Sequence, residues 1–175
     1  MSLALGDSAP PFDLPAVGGS RVSLDGLADR EAVVIVFSCN HCPYVQAWED
    51  RLNDIARDYA PRVAVVAINS NDDRAYPADA FPQMEQRARE KGFVFPYARD
   101  ESQEVARAYG AERTPEVFLF DRGRRLVYHG AIDDSTDPEG VQARYLRDAI
   151  EATLAGQAPP LAQTPPVGCT IKWRR

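Results

Sequence analysis

The sequence Cys39-Asn40-His41-Cys42 places two thiols two residues apart, just after the apolar run Ala32–Phe37. An amphipathic pattern begins directly after the second thiol, so the pair is expected at the start of a helix. Unpaired N–H groups and the positive end of a helix dipole stabilise a thiolate, and they can lower a cysteine pKa from ~8.5 to ~3.5–7.5. Two cysteines at this spacing can close and reopen a disulfide, and the motif therefore predicts a redox site.

The elements that would position this pair alternate between strands and helices. Continuous apolar runs at Ala32–Phe37 and Val63–Ile68 predict strands covered on both faces. Apolar residues at three- and four-residue spacing predict a helix from Pro43 to Tyr59. The other predicted elements are a hairpin within residues 6–24 turning at Gly18-Gly19, a helix from about Ala80 to Lys91 ended by Gly92, a strand at Phe93–Tyr97, a helix at Ser102–Tyr109 ended by Gly110, a hairpin of Glu116–Phe120 with Arg125–Tyr128, and a helix at Val141–Leu154. This order predicts an α/β fold with a central mixed sheet and helices on both faces.

Length and proline placement indicate how the chain is organised. A chain of 175 residues is expected to form one domain with a core of its own. Residues 1–25 are expected to form an N-terminal hairpin extension. Residues 156–175 are expected to form a C-terminal strap, kept extended by its prolines and anchored by Ile171 and Trp173.

Charge and hydropathy exclude several classes of partner. A net charge of −6 argues against nucleic acid and anionic membrane surfaces. No apolar run approaches the ~20 residues of a membrane-spanning helix, and residues 1–20 lack a signal-peptide pattern. We therefore expect a cytoplasmic protein whose three cysteines are not a structural disulfide framework. No cofactor is expected, and the acidic clusters lack the spacing of a calcium loop, so no metal is expected either.

Several sequence blocks resemble those of the thioredoxin-like superfamily, in particular its redoxin branch, which is related to peroxiredoxins and keeps a Cys-x-x-Cys motif. Residues 9–15, Ala-Pro-Pro-Phe-Asp-Leu-Pro, are similar to the start of the N-terminal hairpin of peroxiredoxins. Residues 37–45, Phe-Ser-Cys-Asn-His-Cys-Pro-Tyr-Val, resemble the redox turn, and residues 109–121 resemble the segment that carries a cis-proline in thioredoxins. The ending Gly-Cys-Thr-Ile-Lys-Trp, residues 168–173, is similar to that of thiol-disulfide isomerases of this group.

The resemblance implies a role for each residue of the redox turn. It implies that Cys39 is the exposed nucleophile and that Cys42, more deeply buried, resolves the mixed disulfide. His41 stands between the thiols, where an imidazolium would stabilise a neighbouring thiolate; an exposed polar residue with little effect is the alternative. Asn40 is expected to contact the substrate.

The resemblance also implies a substrate-binding edge away from the redox turn. It implies a cis peptide bond between Thr114 and Pro115, packed beside the two thiols. The backbone before Pro115 would pair with an extended substrate, which places Thr114 and Arg113 among the substrate-contacting residues. Arg113 would favour a thiolate, unless it is an exposed arginine with no role.

Two departures from the patterns of these families leave part of the chemistry open. Thioredoxins keep a buried carboxylate six residues before the first cysteine, where this chain has Val33. Glu49 is a candidate substitute, unless it lies on a solvated helix face. Peroxiredoxins carry a threonine three residues before their peroxidatic cysteine, and if Cys42 is aligned with that cysteine, Cys39 takes the place of the threonine.

We therefore expect a thiol-disulfide oxidoreductase that works through Cys39 and Cys42. Its partners would be protein or small-molecule disulfides and a cellular thiol reductant. The alternatives are an antioxidant thiol peroxidase and a metal-carrying binder that uses both thiols and a histidine. Cys169 is either a small apolar residue packed beneath the strap, the interpretation we favour, or an additional redox thiol.

Overall fold

A seven-stranded mixed sheet forms the centre of the computed structural model, which describes residues 2–175. The strands are β1 (Asp13–Ala16), β2 (Ser20–Ser23), β3 (Ala32–Ser38), β4 (Val63–Asn69), β5 (Tyr97–Arg99), β6 (Arg113–Thr114), β7 (Glu116–Phe120), β8 (Leu126–Gly130) and β9 (Cys169–Thr170). The helices are α1 (Pro43–Tyr59), α2 (Phe81–Lys91), α3 (Glu104–Tyr109) and α4 (Tyr145–Leu154). The sheet order is β2-β1-β5-β4-β3-β7-β8, and β6 pairs separately with β9. The predicted α/β fold with a mixed central sheet is confirmed.

Strand β3 shows how the sequence builds a core on each face of the sheet. All seven of its residues are buried, and successive side chains of a strand point to opposite faces. Its even-numbered residues from 32 to 36 pack with apolar residues of α1, α2 and α4. Its odd-numbered residues from 33 to 37 pack with α3, the N-terminal segment and Ile171 of the strap. This two-sided burial explains why the run is apolar without alternation.

Strands β3 and β4 set the position of the redox motif. They pair in parallel from Ala32 opposite Val63 to Ser38 opposite Asn69. Both strands therefore end at the same edge of the sheet, and the residues that follow them lie side by side. Helix α1 begins at Pro43, as predicted, with Cys42 as its N-cap residue.

Two predicted elements begin four residues later than expected. The strand expected at Phe93–Tyr97 begins only at Tyr97, because Pro96 has no N–H to donate within a sheet ladder. Phe93 and Phe95 instead stack on each other, with ring centroids 4.6 Å apart.

The helix expected at Val141–Leu154 begins at Tyr145. The side chain of Asp134 accepts from the N–H of Gln142, and the N–H of Asp134 donates to the carbonyl of Ala143. These bonds hold the preceding residues in a loop and shorten the helix.

The two ends of the chain pack against the sheet. Strands β1 and β2 form the predicted hairpin, whose turn residues Gly18 and Gly19 have the positive φ values of 92° and 78° that glycine tolerates. In the strap, Ile171 is 3% exposed and Trp173 packs against the same core, so the predicted anchors are confirmed. Among residues 2–175, no helix has both the length and the apolar character needed to cross a membrane.

The core on the α4 side yields a stability prediction. Ile150 is fully buried, so Ile150→Ala removes three buried carbons and leaves a cavity that should lower the free energy of unfolding by about 2–5 kcal/mol. Leu161 is 53% exposed, and Leu161→Ala should change it by less than about 0.5 kcal/mol. Urea unfolding followed by circular dichroism measures both. Equal effects of the two substitutions would contradict this account of the core.

Candidate active site

Both thiols of the Cys-x-x-Cys motif are buried where β3 ends and α1 begins. Cys42 is fully buried and Cys39 is 2% exposed. The thioredoxin pattern predicted that Cys39 is exposed, and this prediction is wrong. Val45 of α1 and Cys169 of the strap pack around the pair and cover it.

The segment before Pro115 lies against both sulfurs. The Thr114-Pro115 peptide bond is cis, as the resemblance implied. The hydroxyl of Thr114 lies 3.6 Å from the Sγ atom of Cys39, and its carbonyl oxygen lies 3.4 Å from the Sγ atom of Cys42. Thr114 thus touches the redox pair directly, at the position predicted for a residue of the substrate-binding edge.

The pKa values of the two thiols are shifted in opposite directions. A hydrogen bond from Cys39 lowers the pKa of Cys42 to about 4; burial opposes this, while contacts with Cys169 and the N–H of Val45 add to it. The pKa of Cys39 is raised by the same hydrogen bond, by burial and by the negative charge of Asp79. The start of α1, where Cys42 is the N-cap residue, favours a negative charge on the Cys42 sulfur. Cys42 is therefore the more acidic thiol of the pair.

Asp79, a buried carboxylate that sequence analysis missed, holds the redox turn in place. Its Oδ1 atom accepts from the backbone N–H of Asn40 at 2.7 Å and from the Asn69 amide at 3.2 Å. Its Oδ2 atom accepts from the Asn71 amide at 3.0 Å and lies 2.6 Å from the Nδ1 atom of His41. The polar run after β4 was the available signal, because parallel strands bring the residues that follow them to one edge.

Asn40 and His41 face this carboxylate and its surroundings. The Asn40 side chain donates to the carbonyl of Ala78 and accepts from the hydroxyl of Tyr97, both at 2.8 Å. The side chain is buried and tethers the turn, and its contact with substrate stays a prediction. His41 stacks on the ring of Tyr76, with ring centroids 5.8 Å apart.

Three potential metal ligands also meet here. One ligand atom each from Cys39, His41 and Asp79 lies within 4.8 Å of the others. Both oxygens of Asp79 already accept N–H bonds, from Asn40, Asn69 and Asn71, and a metal would have to displace these donors. The hydrogen-bond network accounts for the cluster, and it carries no metal hypothesis.

Glu116 fixes the loop that precedes Pro115. Its Oε1 atom accepts from the backbone N–H groups of Glu112 and Arg113, each at 2.9 Å, and its Oε2 atom lies 2.6 Å from the Nε2 atom of His129. The side chain of Arg113 is exposed and has no ion pair among residues 2–175. The structure therefore gives no support to Arg113 as a group that favours a thiolate.

Glu49 is buried rather than solvated. It is 4% exposed, and both of its carboxylate oxygens contact the guanidinium of Arg87. It lines a cavity of about 10 Å³ together with Ser38 and Pro115, a volume that suits one water molecule. Val33, at the position of the thioredoxin carboxylate, is buried in the other core. Glu49 stays a hypothesis as a proton-handling group.

Cys169 is the third thiol of the site. Its Sγ atom lies 2.6 Å from the Sγ atom of Cys42, and the residue is only partly buried. It does pack among apolar neighbours, as the favoured interpretation predicted, yet its sulfur contacts a redox sulfur. The contact agrees with the alternative interpretation of Cys169 as an additional redox thiol, for which the ending Gly-Cys-Thr-Ile-Lys-Trp was the one signal, since 127 positions separate the two residues.

The network around Asp79 yields a second prediction. In a Cys42→Ser/Cys169→Ser protein, where Cys39 is the remaining thiol, Asp79→Asn should lower the pKa of Cys39 because a nearby negative charge is removed. It should also destabilise the protein by about 1–3 kcal/mol, because buried donors lose their acceptor. Thiolate absorbance at 240 nm and urea unfolding measure the two effects. Asp29→Asn is the exposed control, and an unchanged or raised Cys39 pKa would contradict the assignment.

Comparison with solved structures shows two similar chains across nearly their full lengths. A hypothetical protein from Sinorhizobium meliloti is 43% identical, with 99% of this chain and 97% of that chain covered and a TM-score of 0.94. An uncharacterized conserved protein from Geobacillus kaustophilus is 44% identical, with 98% and 93% covered and a TM-score of 0.92.

A thioredoxin-like protein in its oxidised form shares the fold alone, at 18% identity, with 89% and 99% covered and a TM-score of 0.74. Among curated proteins, no significant match was found. The family model described as Redoxin matches residues 4–144, which include both cysteines of the motif and the cis-proline. This chain belongs to the redoxin family, and thiol-based redox chemistry is its function in general terms.

Proposed function

We propose that this redoxin is a thiol-disulfide oxidoreductase in which Cys39 and Cys42 pass electrons as a dithiol-disulfide pair. The observation that carries the proposal is the placement of the two thiols together, buried where β3 ends and α1 begins, with Thr114 against both sulfurs. The hydrogen bond between the two thiols lowers the pKa of Cys42 and raises that of Cys39, which favours Cys42 as the thiolate. An attacking thiolate and a second thiol within reach are the two groups that disulfide exchange needs.

The proposed reaction follows from the difference in pKa between Cys42 and Cys39. The Cys42 thiolate attacks one sulfur of a substrate disulfide, and one substrate thiolate leaves. Cys39 then gives up its proton and attacks the Cys42 sulfur, so the Cys39–Cys42 bond forms and the second substrate thiolate leaves. Two electrons pass from the protein to the substrate. Two equivalents of a cellular thiol restore the dithiol by the reverse exchange.

The order of attack differs from the order that the thioredoxin pattern implied. The acidity of the pair favours Cys42 for the first step, because the hydrogen bond with Cys42, burial and the negative charge of Asp79 all raise the pKa of Cys39. The proton of Cys39 becomes easier to lose once the charge on Cys42 is consumed in the mixed disulfide. The same charge distribution therefore supports both steps in sequence.

The residues around the two thiols position the sulfurs and take no part in breaking or forming S–S bonds. Thr114 contacts both sulfurs, and Pro115 follows it on the wall of the same site. Asp79 fixes the turn through the N–H of Asn40 and holds His41 beside it. We assign positioning roles to these residues, with protein or small-molecule disulfides as substrates.

A thiol peroxidase is the second candidate function, and one observation favours it. Cys42 and Pro43 match the peroxiredoxin Cys-Pro pair in type and order, and Cys42 is a fully buried thiol of lowered pKa, which a small hydroperoxide reaches more easily than a protein disulfide does. Cys39 replaces the threonine hydroxyl that orients peroxide in that family. Consumption of hydrogen peroxide, compared with reduction of glutathione disulfide by the same protein, separates the two functions.

The stoichiometry of thiol release tests the proposed steps. In a Cys169→Ser protein, glutathione disulfide should release two glutathione thiols per chain, because Cys39 resolves the mixed disulfide. With Cys39→Ser added, one thiol should be released and one glutathione should stay on Cys42. With Cys42→Ser added instead, release should be nearly abolished. Mass spectrometry and a thiol assay measure these numbers, and full release without Cys42 would contradict the order of attack.

The pKa of Cys42 gives a prediction about pH. Because this pKa lies near 4, the thiolate fraction is nearly constant from pH 6 to 8, and release of the first glutathione should change less than about twofold. The rate should fall only as the pH approaches 4. Free cysteine, with a pKa of ~8.5, should react more than tenfold faster at pH 8 than at pH 6. A wild-type rate that follows free cysteine would show that Cys42 is an ordinary thiol.

A further inference from the structure

The C-terminal strap occupies the edge of the site at which an extended substrate would pair. Strand β9 runs antiparallel to β6, with Thr170 opposite Arg113 and Cys169 opposite Thr114. These two residues of β6 directly precede the cis-proline, on the backbone that the resemblance assigns to substrate pairing. The protein therefore holds a segment of its own chain in the position of a bound substrate strand.

The strap is built for this position. The N–H of Ile171 donates to the carbonyl of Glu112, and the N–H of Lys172 donates to the side chain of Asn71, each at 2.9 Å. Gly168 lies so close to Thr114 that an added Cβ atom would stand 2.1 Å from its carbonyl oxygen. A glycine is required there by this close approach, and it brings the next residue against the redox pair.

That next residue is Cys169, whose sulfur lies 2.6 Å from the sulfur of Cys42. An S–S bond is about 2.05 Å long, so little movement is needed to close one. Cys42 is fully buried, whereas Cys169 is partly exposed. Cys169 is thus the thiol of the site that faces outward, and it covers Cys42.

We propose that Cys169 forms a second redox disulfide with Cys42, with the strap acting as a tethered substrate strand at the Thr114 edge. This inference rests on the proposed dithiol-disulfide function of Cys39 and Cys42. It assigns to the strap the role of carrying a disulfide between the buried pair and the surface. An external protein strand would have to displace β9, so the resting structure accepts small disulfides in preference to extended polypeptides.

The disulfide moves from Cys39–Cys42 to Cys42–Cys169 by thiol-disulfide exchange within the chain. The Cys169 thiol loses its proton and attacks the Cys42 sulfur of the Cys39–Cys42 disulfide, the Cys42–Cys169 bond forms, and the Cys39 thiolate leaves and takes up a proton. No net electrons are gained or lost in this step. Formation of the first disulfide requires an external two-electron oxidant, for which a small disulfide suffices, since it is reduced to two thiols.

The charge of the site supports this sequence. Burial raises the pKa of Cys169 to about 11, and the hydrogen bond to Cys42 and its negative charge raise it as well. The last two contributions vanish when Cys42 is neutral in a disulfide. Cys169 is therefore held as a thiol while Cys42 is reduced, and it becomes easier to ionise when Cys42 is oxidised.

Disulfide mapping tests the inference. Cys39→Ser protein treated with glutathione disulfide should lose both remaining thiols and yield a Cys42–Cys169 crosslinked peptide after alkylation, digestion and mass spectrometry. Cys169→Ser protein, the matched control, should yield only the Cys39–Cys42 crosslink. A Cys39→Ser protein that keeps glutathione on Cys42 and a free Cys169 would overturn the inference. Absence of the Cys39–Cys42 crosslink in the control would instead overturn the proposed function.

A change in the strap gives an independent test that keeps all three thiols. Gly168→Ala should lift the strap, because the new Cβ atom collides with the carbonyl of Thr114. Alkylation of Cys169 should then become at least ~5-fold faster, since the thiol gains exposure. The Cys42–Cys169 crosslink should be lost while the Cys39–Cys42 crosslink persists. Val167→Ala, at an exposed neighbouring position, is the control. Unchanged crosslinks in the Gly168→Ala protein would contradict the role of the strap.

Discussion

The hydrogen bond between Cys39 and Cys42 at the start of α1, which lowers the pKa of Cys42, is the interaction on which the site depends. Cys42 is the N-cap residue of that helix, and its sulfur has the N–H of Val45, the thiol of Cys39 and the thiol of Cys169 around it. A buried thiolate is costly without such partners, since burial by itself raises a thiol pKa. The parallel pairing of β3 with β4 supplies the rigid edge that keeps these groups together. The chemistry proposed for the protein follows from the lowered pKa of Cys42 at this edge.

Two buried carboxylates, those of Asp79 and Glu116, hold the segments on either side of the thiols. Asp79 is buried, and it binds the backbone of the redox turn while its own charge raises the pKa of Cys39. One residue thus fixes the geometry of the turn and adds to the effects of the Cys42 hydrogen bond and burial that raise the pKa of Cys39. On the opposite side, Glu116 fixes the loop before the cis-proline through two backbone N–H groups. The thiols lie between two segments, and each segment is held by a buried acid.

Local patterns in the sequence predicted the parts of the fold that local forces decide. The apolar runs of β3 and β4, the stripe of α1 and the glycine that ends α2 each carry their own signal, and the redox turn followed from the spacing of two cysteines. The burial of Cys39, the role of Asp79 and the contact between Cys169 and Cys42 were not predictable in this way. Each depends on residues far apart in sequence that meet only after the sheet forms, such as β6 with β9. Asn40 illustrates the same limit, because an exposed substrate contact and a buried tether look identical in sequence.

The central claim is that Cys42, and not Cys39, carries the negative charge in the reduced protein. Residue-specific titration of the three cysteine Cβ chemical shifts by NMR, from pH 3 to pH 10, tests it most directly, because it needs no access to the buried sulfurs. The account predicts that the Cys42 shift titrates near pH 4, while those of Cys39 and Cys169 show no midpoint below pH 9. A Cys39 signal that titrates first, with Cys42 protonated at neutral pH, would contradict the account.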